Sequence, residues 1–245
     1  LVPSFDRMGN SILNGFDRKI DNSKADADGL DLQYNKPDYT AQTIGAAEDD
    51  LAARIAAEGV VLLENRDNAL PLAQDTTFSL VSVNSTTVSA GGGMLGGGVK
   101  LDAIFQSAGV GVNGKLWDFY VNGGGKGYGL ASGSISFGDA EDFRINECPL
   151  SVMQSADGVL DSLEGTVPVY FLKRVAGEGR DMPRSMYGHA DSAQDKARTY
   201  LEPDSTEREI LSYLDENFDT VVLVLNSNAA LELDWLADYP SIKAV

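Results

Sequence analysis

One acidic side chain in this sequence is set apart by its neighbours. In Arg174-Val175-Ala176-Gly177-Glu178-Gly179-Arg180-Asp181 a glutamate stands between two glycines. The missing side chains on either side leave its carboxylate free to face a pocket. Arg174, Arg180 and Asp181 surround it with charges that would tune its pKa or bind hydroxyl groups, so they are candidate substrate-binding residues. On residue types alone, a solvated charged loop accounts for the segment equally well.

Other constellations offer less. The chain has a single cysteine, Cys148, and a single histidine, His189. Together with an acid they would make a nucleophile pair, but Cys148 is far from any strand-to-helix elbow and reads better as a structural thiol. One cysteine excludes an internal disulfide and a multi-thiolate zinc site, and one histidine excludes an HExxH metal site. No GxSxG elbow is present. The run Gly91-Gly92-Gly93-Met94-Leu95-Gly96-Gly97-Gly98 could cradle a phosphate. It lacks the Lys-Ser/Thr pair of a Walker loop, and a loop passing close to another surface explains it as well. No metal or organic cofactor is expected.

The elements that must position these groups alternate. Residues 1–45 are polar and acidic and read as a leader or linker, with one short helix around Ile12 to Ile20. From Ala46 to about Glu58, Leu51, Ile55 and Ala56 fall at helical spacing. Gly59 introduces the apolar stretch Val60 to Leu63, and Asn65 to Asn68 reads as a turn. Phe78 to Val83 is a strand, followed by the glycine run and a helix at Val99 to Phe105. Lys115 to Val121 is a helix, and 122–142 a long loop. Val167 to Leu172 is a strand, with Pro168 at its start. Thr206 to Asn217 is a helix capped by Ser205 or Thr206. Val221 to Leu225 reads as a strand buried on both faces, Ala229 to Ala237 as a helix, and Ile242 to Val245 as a strand in which the chain stops.

This order predicts an α/β layered sandwich, a mainly parallel sheet between helices, truncated at the C-terminal strand. Ligands of such sheets bind beyond the carboxyl ends of the strands, where loops 84–98, 173–190 and 226–229 belong. The 245 residues carry 19 Lys plus Arg against 37 Asp plus Glu, a net charge of −18, with a pI near 4.3. That balance disfavours nucleic acid and anionic membrane surfaces as partners. It also argues against a nucleotide-binding regulatory domain built on Gly91 to Gly98.

Several of these blocks occur in an order that resembles one family. Ala53-Arg54-Ile55-Ala56-Ala57-Glu58-Gly59-Val60-Val61-Leu62-Leu63-Glu64-Asn65, with Ala69-Leu70-Pro71-Leu72 after it, is similar to the opening of the α/β sandwich domain of glycoside hydrolase family 3. Gly177-Glu178-Gly179-Arg180-Asp181 resembles that family's GEGxDR-type loop, and Val221 to Trp235 its "V-x-V-x-N-x-x-x-x-x-E-x-x-W" region. The resemblance covers about residues 46–245, which are expected to form the sandwich domain.

The resemblance implies a retaining β-glycosidase, a bacterial β-glucosidase by expectation, in which a (β/α)8 barrel carries the aspartate nucleophile and the sandwich domain the acid/base glutamate. Glu178 matches the acid/base position, and Arg174 and Asp181 match residues that support it or line the sugar site. Met182 replaces the family's usual arginine, and Arg180 stands where members vary. No segment resembles the barrel, which needs ~250 residues by itself. The leader Gly29 to Tyr39 resembles members with the sandwich first, so a barrel after Val245 is the favoured expectation, the alternative being the ordinary order with the barrel before Leu1; in either case an isolated chain without activity is expected. The competing reading is a non-catalytic carbohydrate- or ligand-binding module using the same rim loops. A third reading is purely structural, with Glu178 buried in a salt bridge to Arg174 or Arg180 and the domain holding a partner.

Overall fold

The computed structural model describes residues 41–86, 101–129, 142–176, 181–227 and 229–245. By its internal contacts the chain divides into two units, Leu1–Val61 and Leu62–Val245. In the first unit the alanine-rich segment forms helix α1, Ala41–Gly59, five residues longer at its start than its apolar spacing suggests. An Asp50–Arg54 pair at 3.3 Å spans one turn of it, and the stripe residues Leu51 and Ile55 are exposed. No helix among the described residues is long and apolar enough to cross a membrane.

The second unit is built on one sheet. Strands β1 (Thr77–Val81), β2 (Gly111–Val112), β3 (Val167–Arg174), β4 (Val221–Ser227) and β5 (Ile242–Ala244) lie in the order β2-β1-β3-β4-β5. All four pairings are parallel, the arrangement expected when helices cover the faces of a sheet. The helices are α2 (Leu101–Ser107), α3 (Gly114–Val121), α4 (Leu150–Ser155), α5 (Ala193–Lys196) and α6 (Ser205–Asn217).

The period-two alternation of strands divides the core in two. Val81, Tyr170, Leu172, Val221 and Leu223 point to one face, where Leu116 and Phe119 of α3, Met153 of α4 and Ile210, Leu211 and Leu214 of α6 cover them. Leu80, Val169 and Phe171 point to the other, against Leu101 and Phe105 of α2 and Trp117. Strand β3 is buried almost throughout. Strand β4 is not, contrary to the expectation of burial on both faces: Val221 and Leu223 are buried, while Val222 and Val224 are only half-buried.

Local chemistry explains most boundaries. Asn113 caps α3 by accepting from the Lys115 and Leu116 amides, and its amide group donates to Ser79 Oγ at 2.9 Å and Ser162 O at 2.8 Å. Gly109, at φ +72°, closes α2, a left-handed position that glycine takes without strain. Helix α6 starts one residue earlier than predicted. Asp204, rather than Ser205 or Thr206, is the N-cap, because it forms a reciprocal capping box with Glu207. The helix expected over 229–237 is instead an irregular segment followed by a 3-10 turn, Asp234–Asp238. Asn65 holds the turn before Leu70 by donating to the Leu70 carbonyl and accepting from its amide. Glu64 and Asn65 pair antiparallel with Ala244 and Val245.

Candidate functional site

The sheet order fixes where a site belongs. From β1 the chain crosses to β2 on one side and returns to β3 on the other, so β1 and β3 flank a topological switch point. The crevice beyond their carboxyl ends is where open α/β sheets bind ligands.

On the β1 side the strand stops at Val81 rather than Val83, because Ser82 turns to φ +84°. That is a strained angle for a residue with a Cβ, and hydrogen bonds hold it. The Ser82 amide donates to Tyr120 Oη at 3.2 Å, its Oγ donates to Glu147 Oε2, and its carbonyl accepts from Ser85 Oγ at 2.7 Å. The Glu147 carboxyl is buried there. Its other oxygen accepts from the Cys148 amide at 2.8 Å. Burial, with the charges of Glu207 and Asp204 nearby, pushes the Glu147 carboxyl up to about 7.

On the β3 side the last strand residue is Arg174. This side chain was expected to face substrate, and the structure corrects that. It is wholly buried, in an ion pair with Glu207 at 2.7 Å. Nε donates to Tyr200 O at 2.6 Å, Nη1 to Lys173 O and Glu207 Oε1, and Nη2 to Glu202 O and Glu207 Oε2. All five guanidinium N–H groups are thereby used, leaving none for a ligand hydroxyl. Arg174 anchors the end of β3 to the start of α6.

Glu178 and Arg180, like the glycine run 91–98, lie outside the described residues. Asp181 is exposed. His189 flanks a cavity, with its ring edge-on to Phe143 at 5.3 Å. Cys148 packs into the core, and burial together with the Glu147 charge pushes its thiol up to about 12. It stays protonated at neutral pH and is no nucleophile.

The cavity, about 270 Å³, lies beside the start of α6 and is lined among others by Glu147, Asp204, Asp195, Arg144 and His189. Its acids are not equivalent. Burial and the charge of Glu207 push Asp204 up to about 7. Burial acts on Asp195 in the same sense, but donors from Ser192 and Ser205 outweigh it and hold that carboxyl low. The site therefore combines carboxyls that exchange protons near neutrality with one that stays ionised. No group of three metal-ligating side chains occurs among the described residues.

Sequence reasoning missed Glu147, Tyr200, Asp204 and Glu207. The spacing Asp204-x-x-Glu207 is a legible capping-box signal; Glu147 and Tyr200 lie in segments without periodicity.

No family model matches the sequence, and no curated protein does. Solved structures do. A β-glucosidase from Paenibacillus barengoltzii is 22% identical, with a TM-score of 0.52 over 78% of this chain and 20% of its own. β-Glucosidase 3B from Thermotoga neapolitana, in complex with glucose, is 20% identical, with a TM-score of 0.56 over 86% of this chain and 27% of its own. The likeness is one of fold. This α/β layered sandwich is an architecture found within β-glucosidases, and the chain spans between a fifth and three-tenths of their length.

Proposed function

We propose that this chain is the part of a retaining β-glycosidase, acting on β-glucosides, that supplies the general acid/base. The observation that carries the reading is positional. Strand β3 ends at Arg174, its carboxyl end at the β1/β3 switch point of a fold shared with β-glucosidases, and in the sequence Gly177-Glu178-Gly179 follows three residues later.

Glu178 is the acid/base. In the first step it protonates the glycosidic oxygen while an aspartate from a (β/α)8 barrel of the same polypeptide attacks the anomeric carbon. In the second, the Glu178 carboxylate takes a proton from water as that water displaces the aspartate, and the configuration is retained. Arg180 and Asp181 contact sugar hydroxyls, and Arg174 acts only through the backbone it anchors. Proton transfer and carboxylate attack need neither metal nor organic cofactor. Without the barrel the chain is inactive.

The test is turnover of an activated aryl β-glucoside by the full-length enzyme, wild type against Glu178→Ala, with and without azide. An activated leaving group needs little acid, but the second step still needs a base, which azide bypasses. A strong loss with azide rescue and a glycosyl azide of retained configuration is expected. Unchanged turnover would remove the assignment. Tight glycan binding by the isolated chain would favour a non-catalytic binding module.

A further inference from the structure

We infer that the cavity beside the start of α6 is a binding site for one small neutral polyhydroxylated molecule, the size of a sugar or cyclitol ring. Such a site does not depend on the role of Glu178. Most of its wall comes from residues 144–149, 186–192 and the stretch 195–206 that carries α5 and the first residues of α6.

The charges around this cavity are already matched. Asp142 holds Arg144 through Nε at 3.0 Å and Nη2 at 2.6 Å. Arg198 Nη1 donates to Glu202 Oε2 at 2.9 Å. Asp195 accepts from Ser192 Oγ at 2.6 Å and from the Ser205 amide at 2.7 Å. Both oxygens of Glu147 are taken, by Ser82 Oγ and the Cys148 amide. A phosphate would therefore meet no unpaired guanidinium. A metal ion would meet no group of three ligating side chains among the described residues. An ammonium would find one carboxyl with an oxygen to spare, Asp204, in a cavity shared with the Arg198 guanidinium.

What remains is a mixed set of unused donors and acceptors. Arg198 Nε is buried without a hydrogen-bond partner. It lies 3.5 Å from Asp195 Oδ1, too far to count as one, and a buried N–H in that state calls for an acceptor. Asp204 spends one carboxyl oxygen on the Glu207 amide at 2.8 Å and keeps the other. Burial and the charge of Glu207 hold its proton until about pH 7, so that oxygen can donate as well as accept. The His189 ring, edge-on to Phe143, also lines the cavity, and a neutral imidazole adds one donor and one acceptor. A hydroxyl group is donor and acceptor at a single uncharged atom, and a ring bearing several has C–H faces between them. Ile145 and Met186, both buried, supply the matching apolar wall. At about 270 Å³ the cavity is smaller than the roughly 300–1,000 Å³ of drug-sized sites, which limits the occupant to one ring.

The test is a titration of the full chain with D-glucose and with myo-inositol, followed by backbone amide NMR shifts, with inorganic phosphate and methylammonium as controls. A Kd on the order of 1 mM is expected for a polyol of this size, with the shifts concentrated in 144–149, 186–192 and 204–206. Arg198→Met should weaken binding about tenfold or more, the loss of one charge-assisted hydrogen bond. Because Arg198 also pairs with Glu202, Ala190→Leu is read beside it. That substitution narrows the cavity without touching a charge and should weaken binding to a similar degree. Glu178→Ala should leave binding unchanged, and the azide comparison decides the role of Glu178 separately. The inference is overturned if neither polyol saturates by about 20 mM or if phosphate or methylammonium saturates instead. Binding that survives both cavity variants, or that is lost in Glu178→Ala, overturns it as well.

Discussion

Replacing Glu207 with alanine would strand the Arg174 guanidinium in the interior with two of its five donors unpaired. Both side chains are 0% exposed, so water cannot take the carboxylate's place. Removing one partner of a buried ion pair costs ~3–5 kcal/mol. The same substitution deletes the acceptor for the Asp204 amide in the capping box, a further loss of about 1 kcal/mol. The sum, roughly 4–6 kcal/mol, is a large share of the ~5–15 kcal/mol that holds a domain folded. For a unit of this size it corresponds to a fall in Tm on the order of 10–20 °C. Removing both charges at once is a different perturbation. Arg174→Met with Glu207→Met buries no lone charge and should return to within roughly 2 kcal/mol of the parent. Urea unfolding followed by the fluorescence of Trp235, buried against Tyr239, would report both. A loss under about 1.5 kcal/mol for Glu207→Ala, or a double variant no more stable than the single, would refute the argument that an uncompensated buried charge dominates here.

Three further outcomes follow from the same interior. Glu147 and Asp204 sit at about 7 in the folded chain against ordinary values of 4.5 and 3.8. The folded state then binds more protons between those limits, so their contribution is full below about pH 4 and is lost as pH rises to about 7. The slope is at most ~1.4 kcal/mol per pH unit per group. Urea midpoints between pH 5 and 8 should fall more steeply for the parent than for Glu147→Gln, and identical slopes would contradict the shift. Asn113→Ala removes a helix cap and leaves Ser79 and Ser162 without their donor; it should cost about 2–3 kcal/mol in the same assay, and a loss below ~0.5 kcal/mol would count against the cap. Cys148 should resist a disulfide reagent at pH 8 until denaturant is added, whereas rapid labelling of the native chain would show its thiol to be accessible.

How much of this was legible depended on whether a pattern had a period. Strands β3, β4 and β5 and helices α3 and α6 were readable because apolar residues recur at the spacing of their element, with a cap or a proline marking the ends. Helix α1 was readable as a helix, although the exposure of Leu51 and Ile55 was not, since spacing says which residues share a face and nothing about what covers it. Val222 and Val224 misled in the same way: an all-apolar strand implies two covered faces. The two residues of β2 carry no signal of their own and pair only because β1 offers an edge. Arg174 looked like a ligand contact because charged residues near a rim usually are. Its partner Glu207 lies in a distant helix, and only the fold brings the two together. Glu147 was invisible for the same reason, its burial coming from Ser82 and the loop around it.

The wholly parallel sheet also bears on how the chain reaches its folded state. A parallel pair cannot be closed by a tight turn, so no strand here finds its neighbour through local contacts. Phe78 must meet Val167, and Val169 must meet Val222, each across an intervening helical crossover. The shortest excursion joins β4 to β5, where Val221 meets Ile242. Ordering entropy is thus spent before most contacts form, which places the chain among slow, high-contact-order folders. Assembly should begin in its C-terminal third, around β4, β5 and α6, with β1 and β2 the last to join the sheet. The β1/β3 crevice would then be completed only at the end of folding, so a partly folded chain would have much of its secondary structure and no site.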